Sequence, residues 1–363
     1  MRIKSVLDRS TRRVGLMVAM TVSLVVVLSV TSAQESRPNG VVETYSHRFT
    51  PITDGIWQVT GTGRVNVISN SMLIEGLHDL LLVDSHVTPN AGLALLESVK
   101  AISQKPVRYL VNTHYHFDHA HGNQVFPDDV EIIGHQYTRD KLSGELGNVL
   151  DESTFISFTE GVPDQIAALQ EQITNTSDET QRATLQAQLA VQQAHLSSLA
   201  ETQPTPPNIT IDSSMRIYQD VAGGGREIQL LYLGRGHTGG DVVLFLPDEK
   251  IVFTGDLMVP SIPYMGDAHV DEWPATLEAL KALDFNILLP GHGPVVQGKE
   301  RIAHLQSYLR DLWSRTEALK NNGLSAEQAA AEIDLSDHSA HYPQLQNPGA
   351  DVRAIRRIYQ LLE

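Results

Sequence analysis

The sequence predicts an α/β chain of the mixed α+β kind, two β-sheets covered by helices, and three observations carry that prediction. Apolar runs of strand length alternate with stretches of helical spacing along all but the start of the 363 residues. Several strands are joined by links short enough for hairpins, which argues against a doubly wound parallel sheet. A hydrophobic content of 41% is enough to fill the core between such layers.

Each element follows in order. Residues 56–84 read as short strands, 65–74 and Leu80–Val83 among them, broken by turn residues. Leu93, Leu96 and Val99 fall on one side of a helix over 89–101. An apolar strand over Val107–Val111, another at 130–133 and a helix after Gly134 come next. From 162 to 200 the composition shifts to Gln, Ala, Leu and Glu. Ile166, Leu169 and Ile173 make one apolar stripe, and Leu185, Leu189, Leu196 and Leu199 make a second. Thr176 and Glu179 between them have the spacing of a capping box. This predicts an antiparallel helical hairpin inserted at about 161–203, ended by Pro204-Thr205-Pro206-Pro207. It is either a helix pair packed on the body, or a lid or homodimer contact. Strands resume at 215–218, 227–232, Val242–Leu246 and 251–254, followed by a helix over 273–283, a strand at Ile287–Leu289 and a helix over 299–319. The domain is expected to span 40–325, with a helical tail over 326–363 in which His338 and His341 form a solvated pair.

The first residues are different. Arg2, Lys4, Arg9, Arg12 and Arg13 precede an uncharged apolar run over 14–30 and then Thr31-Ser32-Ala33. Basic start, apolar run and small residues make an export signal over 1–33, so a periplasmic or secreted protein is expected. The competing reading is an uncleaved anchor, because the run approaches the ~20 residues that span a bilayer. Residues 1–33 hold five of the 27 basic and one of the 43 acidic residues, leaving 22 against 42. So acidic a chain repels phosphate backbones, which excludes nucleic acid as a partner. The absence of cysteine excludes disulfides and thiolate ligands alike.

The chemistry concentrates in His114-Tyr115-His116-Phe117-Asp118-His119, straight after the strand Val107–Val111. Residues two apart on extended backbone share a face, so His114 and His116 can point at one spot. Imidazoles and a carboxylate suit zinc, which takes nitrogen and oxygen ligands. Four such groups in six residues exceed what one catalytic zinc needs, and two metals are the better reading. Three further candidates stand at element junctions, where functional side chains concentrate. They are His237 in Gly234-Arg235-Gly236-His237-Thr238-Gly239, Asp256 in Thr254-Gly255-Asp256, and His292 in Pro290-Gly291-His292-Gly293.

This order of motifs resembles the metallo-β-lactamase-fold hydrolase superfamily over about 56–296. The resemblance implies an αββα sandwich with two Zn²⁺ per chain at one edge. It gives His114, His116 and His237 to the first zinc, Asp118, His119 and His292 to the second, and makes Asp256 the bridge. Asp84, in Leu82-Val83-Asp84, matches the family's acidic residue behind the site and would orient a ligand histidine. His121 and His135 lie outside the ligand pattern and read as structural. Two zincs lower the pKa of a shared water towards about 7, making a bridging hydroxide that attacks a carbonyl or phosphoryl centre. Asp118 would help position it. Because the fold also hosts iron, zinc is inferred from ligand type.

For the substrate, Gly266-Asp267-Ala268-His269 and Val67-Ile68-Ser69-Asn70 look like the true zinc β-lactamases. The position of His269 there often carries an Asn near the scissile carbonyl, so His269 is a candidate catalytic residue, and 61–66 would be a flap over the pocket. Two positions depart from that pattern. Asp256 stands where the commonest lactamases have cysteine, and Val259 where many have the lysine that holds the antibiotic's carboxylate. Arg64 and Arg235 are candidates for a replacement cation. With the export expected from residues 1–33, the resemblance implies a hydrolase of a small-molecule ester, lactone, thioester or β-lactam outside the cytoplasm. The competing readings are a dedicated β-lactamase and a metal-binding or interaction protein without turnover.

Overall fold

Period-two alternation along the strands sets the layering. The computed structural model describes residues 40–363, so the export signal expected over 1–33 lies outside the described residues. Among those, no helix is long and apolar enough to cross a membrane.

The first sheet runs in sequential order through β1 (Val42–Glu43), β2 (His47–Thr53), β3 (Ile56–Gly61), β4 (Ser71–Glu75), β5 (Leu80–Val83), β6 (Val107–Val111), β7 (Glu131–His135) and β8 (Ile209–Ile211). Its last three pairings are parallel and the others antiparallel. The second sheet holds β9 (Ser214–Val221), β10 (Gly224–Tyr232), β11 (Val242–Leu246), β12 (Ile251–Phe253), β13 (Ile287–Leu289) and β14 (Val296–Gln297). Only β12 and β13 pair in parallel there. Leu81 and Val83 of β5, with Val242, Leu244 and Leu246 of β11, fill the space between the sheets. Their neighbours Leu80 and Leu82, and Val243 and Phe245, face the outer layers.

Those layers are helical. On the first sheet α1 (Pro89–Val99) lays down Leu95 and Val99, its start fixed by Pro89 and by Thr88, whose hydroxyl accepts from the Ala91 N–H. Two short helices, α2 (Phe117–Ala120) and α3 (Gln136–Leu142), belong to the same half, and α4 (Ser153–Thr159) leads into α5 (Val162–Asn175) and α6 (Glu179–Ala200). On the second sheet lie α7 (Trp273–Ala282), α8 (Glu300–Asn321), α9 (Ala326–Glu332) and α10 (Val352–Leu361). The order of layers is αββα.

Four local expectations change. Residues 65–70 are loop rather than strand. Asn70 gives its backbone N–H to Gly291 O (2.6 Å) and its side-chain amide to Pro290 O (2.9 Å) and Gly293 O (2.8 Å), so its donors serve the 290–293 loop rather than a ladder. The cap of α6 is Asp178, whose carboxylate accepts from the N–H groups of Thr180 (2.8 Å) and Gln181 (3.0 Å), while Thr176 bonds Gln181. The helical pair α5–α6, by contrast, keeps one of its two expected readings and packs on the body: Ser198 accepts from the Asn90 N–H (3.0 Å), and Leu185 and His195 are buried. Residues 326–363 are no appendage, since Ala329, Ala330, Ile355 and Ile358 join the core under α7 and α8. His338 is accordingly buried and bonded to Asp311 (2.8 Å) rather than solvated, and His341 stacks on His304.

Burial leaves one measurable mark on stability. His47 is fully buried beside His86 (Nε2 to Nε2, 3.2 Å), and desolvation lowers its pKa to about 4. The folded chain thus keeps it neutral where the unfolded chain takes up a proton near pH 6.5. Its contribution is complete above that value and lost as the pH falls towards 4. We expect this residue to account for up to about 3 kcal/mol of acid destabilisation. Melting temperatures at pH 7 and pH 5 should therefore differ less in His47→Gln than in the parent chain.

Candidate metal centre

Strand registers bring the candidate residues to one edge. β5 and β6 pair in parallel with Val83 opposite Val111, so Asp84 and the loop from Asn112 onward leave the sheet at the same end. β12 and β13 pair in parallel with Phe253 opposite Leu289, so Asp256 and His292 both stand three residues past that pair. Ligand-bearing loops gather at such carboxyl ends in α/β sheets. A backbone bond from Val242 N–H to Thr113 O (2.8 Å) links the sheets at this edge and sets His237, in the loop before β11, beside the histidine loop. Gly255 opens the turn that carries Asp256 with φ +51°, and a Cβ there would stand 2.6 Å from the Thr113 side chain. Glycine meets both demands.

The histidine loop is extended at His116 (φ −58°, ψ 150°) and then enters the single turn α2, which swings Asp118 and His119 to a second position. Three groups result in which every residue offers an atom within 4.8 Å of the others: His114, His116 and His237; Asp118, His119 and His292; and His114, His119 and Asp256. Asp256 stands between the first two. Its Oδ2 lies 3.7 Å from His237 Nε2 and 3.3 Å from His292 Nε2, and its Oδ1 lies 3.5 Å from His119 Nε2. Asp118 Oδ2 is 3.0 Å from His292 Nε2.

Outward bonds fix how four of the five imidazoles are presented. Asp84 Oδ2 accepts from His119 Nδ1 (2.7 Å) and Ile68 O from His292 Nδ1 (3.0 Å). The Thr113 hydroxyl donates to Asp84 (2.9 Å), so His114 Nδ1 donates to Thr113 (3.0 Å) and leaves Nε2 as a lone pair. Asp267 Oδ2 accepts from His116 Nε2 (3.1 Å), which turns Nδ1 towards His237. Asp84 holds its post in the left-handed region at φ +62°, strain held in place by bonds from Thr113 N–H (2.8 Å), the Thr113 hydroxyl and His119.

The electrostatics give the sign of what the cluster takes. Burial would keep His119 and His292 neutral, yet Asp118 and Asp256 outweigh it, raising His119 well above its usual pKa and His292 to about 10. Burial lowers His237 to about 3 and His114 well below its usual value, leaving both as neutral donors. The buried atoms His114 Nε2 and Asp256 Oδ1 have no hydrogen-bond partner. Neutral imidazoles, ionised carboxylates and unpartnered atoms aimed inward fit divalent cations with nitrogen and oxygen preferences. Metal binding here would expel protons from His119 and His292.

Beside the cluster lies a cavity of about 390 Å³, floored by His116, Asp118, His237, Asp256 and His292 and walled by Phe117, Phe158, Val259, Ile262, Pro263 and Tyr264. Three expectations are redirected here. His269 does not line the cavity; its ring gathers with Asp271 and Glu272. The residue of that stretch that meets the cluster is Asp267, which also accepts from Thr154 (3.2 Å). Burial alone would raise the Asp267 pKa, but the bond and charge of His116, with Lys141, bring it down to about 2. Residues 61–66 do not form a flap either, since Gly63, Arg64 and Val65 border a separate cavity against α6. Of the cations expected, Arg235 is bonded to Glu272 (3.0 Å) and Arg64 lies over Tyr45, whereas the basic residue at the cavity is Arg353. His121 is buried against Phe155, and His135 caps α3, as structural roles require.

Close approach makes Gly291 a sensitive position, because a Cβ there would strike Asp256 Oδ1 and come within 2.9 Å of His119 Cε1. Gly291→Ala should displace Asp256 and reduce kcat/KM about 100-fold, the scale of an ångström's misplacement. Metal analysis and kinetics on the folded variant check this.

A family model described as the metallo-beta-lactamase superfamily matches residues 64–292, a stretch that includes every residue of the three groups. Linear primary-alkylsulfatase of Pseudomonas sp. (strain ATCC 19151) is 25% identical over 308 residues, 79% of this chain and 54% of that protein. Metallo-beta-lactamase type 2 of Bacillus sp. (strain 170) is 23% identical over 296 residues, 78% of this chain and 92% of its own. The solved structure of a stereoselective inverting sec-alkylsulfatase from Pseudomonas sp. shares the fold, with a TM-score of 0.59 at 18% identity over 86% of this chain and 50% of that one. This chain therefore spans about half the length of the alkylsulfatases it matches. With the αββα layers and the clustered His and Asp residues, the match makes this chain a member of the metallo-beta-lactamase superfamily of hydrolases.

Proposed function

We propose that the protein is an exported dinuclear zinc hydrolase that opens a carbonyl group in a small ester, lactone, thioester or β-lactam. The observation that carries this reading is the position of Asp256, with its Oδ2 3.7 Å from one histidine group and 3.3 Å from the other. His114, His116 and His237 would hold one ion; Asp118, His119 and His292 the other; Asp256 would serve both. Bound zinc supplies Lewis acidity and lowers the pKa of water to about 7.

The chain's own residues do the rest. Asp84 keeps the His119 ring turned so that Nε2 faces the cluster, and Asp267 does the same for His116 Nδ1. Asp118, buried between His119 and His292, stands where it can orient a nucleophile or accept its proton. Phe117, Phe158, Val259 and Ile262 exclude water and receive an apolar substrate body. Export rests on the basic, apolar and small-residue pattern of 1–33.

A second reading, hydrolysis of sulfate esters, is favoured by the alkylsulfatase relatives. One experiment addresses both. The zinc-loaded chain is tested for metal content and for turnover of a p-nitrophenyl ester, a simple lactone, a chromogenic cephalosporin and an alkyl sulfate. The carbonyl reading expects two ions and kcat/KM of about 10⁴ M⁻¹s⁻¹ or more on at least one carbonyl substrate, abolished by a chelator and restored by zinc. Turnover of the alkyl sulfate alone would transfer the assignment to sulfate esters. Two bound ions with no turnover would overturn both.

A further inference from the structure

The cavity beside the cluster has an uneven charge. Among the described residues Arg353 is the one Lys or Arg in its lining, in a chain whose formal net charge is −16. It comes from the first turn of α10, more than 60 positions past His292 in sequence.

Its side chain is 44% exposed, and one carboxylate and one aromatic ring engage it. Asp351, the cap of α10, accepts from Arg353 Nε (3.0 Å) and Nη2 (2.7 Å), and the guanidinium lies 4.9 Å from the centre of the Tyr264 ring. Arg357, one helical turn on, donates to Ala268 O (2.8 Å) and ties α10 to the loop that carries Asp267. The Tyr264 hydroxyl bonds Thr154 (2.7 Å), which itself donates to Asp267. The grip of Asp351 takes one edge of the guanidinium fork, and Nη1 takes part in none of these bonds. A planar fork anchored on one edge and stacked on an aromatic face is pre-set to receive a carboxylate at its other nitrogen. Next to it the wall is apolar, made by Ile262, Pro263 and Phe158.

We propose that Arg353 determines the specificity of this site, and that the preferred substrate carries a carboxylate, bound at Nη1, on an apolar body lying along Phe117, Phe158 and Ile262. The proposal rests on the hydrolase reading and names its substrate class.

The test compares two p-nitrophenyl esters of nearly the same shape on the zinc-loaded full chain: the monoester of glutarate, which is anionic, and the valerate ester, which is neutral. The parent chain should favour the glutarate ester about tenfold in kcat/KM, the size of one hydrogen bond to a charged group. Arg353→Gln should bring the ratio to about one, through a rise in KM for the glutarate ester, and Arg353→Lys should keep part of the preference. A ratio unchanged in Arg353→Gln, or an equal fall for both esters, overturns the proposal. Calorimetric binding of 5-phenylvalerate, which has no scissile bond, separates it from the hydrolase reading. Binding that weakens in Arg353→Gln without turnover of either ester removes simple esters from the hydrolase reading and keeps the anion site. Turnover of both esters with binding indifferent to Arg353 sinks the anion site alone.

Discussion

Replacing Asp256 with alanine should remove one of the two proposed ions and reduce kcat/KM about 1,000-fold or more, while circular dichroism still reports a folded chain. Asp256 and Asp118 are the two carboxylates within the groups, set against five imidazoles, and Asp256 faces His119, His237 and His292 at 3.3–3.7 Å. Without it, one negative charge is left to offset two divalent ions. Survival of the fold follows from what the side chain touches: it meets imidazoles, and Oδ1 makes no hydrogen bond that the chain trace depends on. Asp256→Asn, which keeps the shape and discards the charge, should fall in the same direction. Full metal content with full activity in Asp256→Ala would end the bridging assignment.

The second large effect is on stability. Trp273 is fully buried in the core under α7 and α8, donates Nε1–H to Leu257 O (2.9 Å), and packs so closely on Gly236 that a Cβ there would come within 2.9 Å of the indole. Trp273→Ala opens a cavity and strands a buried carbonyl, a loss of about 3–5 kcal/mol. Melting should fall by roughly 10 °C in a chain of this size. Because the indole also lies against His237, 5.7 Å between ring centres, the first metal position should loosen along with the core. Trp273→Phe, which restores most of the packed volume, should recover most of the melting temperature. A loss below about 1 kcal/mol in Trp273→Ala would contradict this account.

What could be read from residues alone was the part that local chemistry enforces. Strands such as Val242–Leu246 and Ile287–Leu289 were recognisable because each is a buried apolar run between turn residues. The candidate ligands stood out because a dense His/Asp loop, Asp256 and His292 each follow such a run directly. What was missed is tertiary. Asp267 and His269 are two residues apart in a motif, and only the fold decides which one turns towards His116. Arg353 comes from a segment read as a tail, and nothing in its local pattern ties it to a cavity. Residues 65–70 have strand-forming character, but the Pro290–Gly293 loop claims the backbone and side chain of Asn70. The cap of α6 fell on Asp178 in place of Thr176 because a carboxylate two residues later reaches two N–H groups at once.

The bond between Val242 and Thr113 has a consequence for how the chain matures. His114, His116, Asp118 and His119 leave the half built on the first sheet, whereas His237, Asp256 and His292 leave the half built on the second. The first half supplies four candidate ligands and the second three, so each proposed ion draws on both halves and the complete centre would form only once they have docked. Zinc that bound only the docked centre would favour docking by mass action, so added zinc should partly rescue variants whose halves meet weakly.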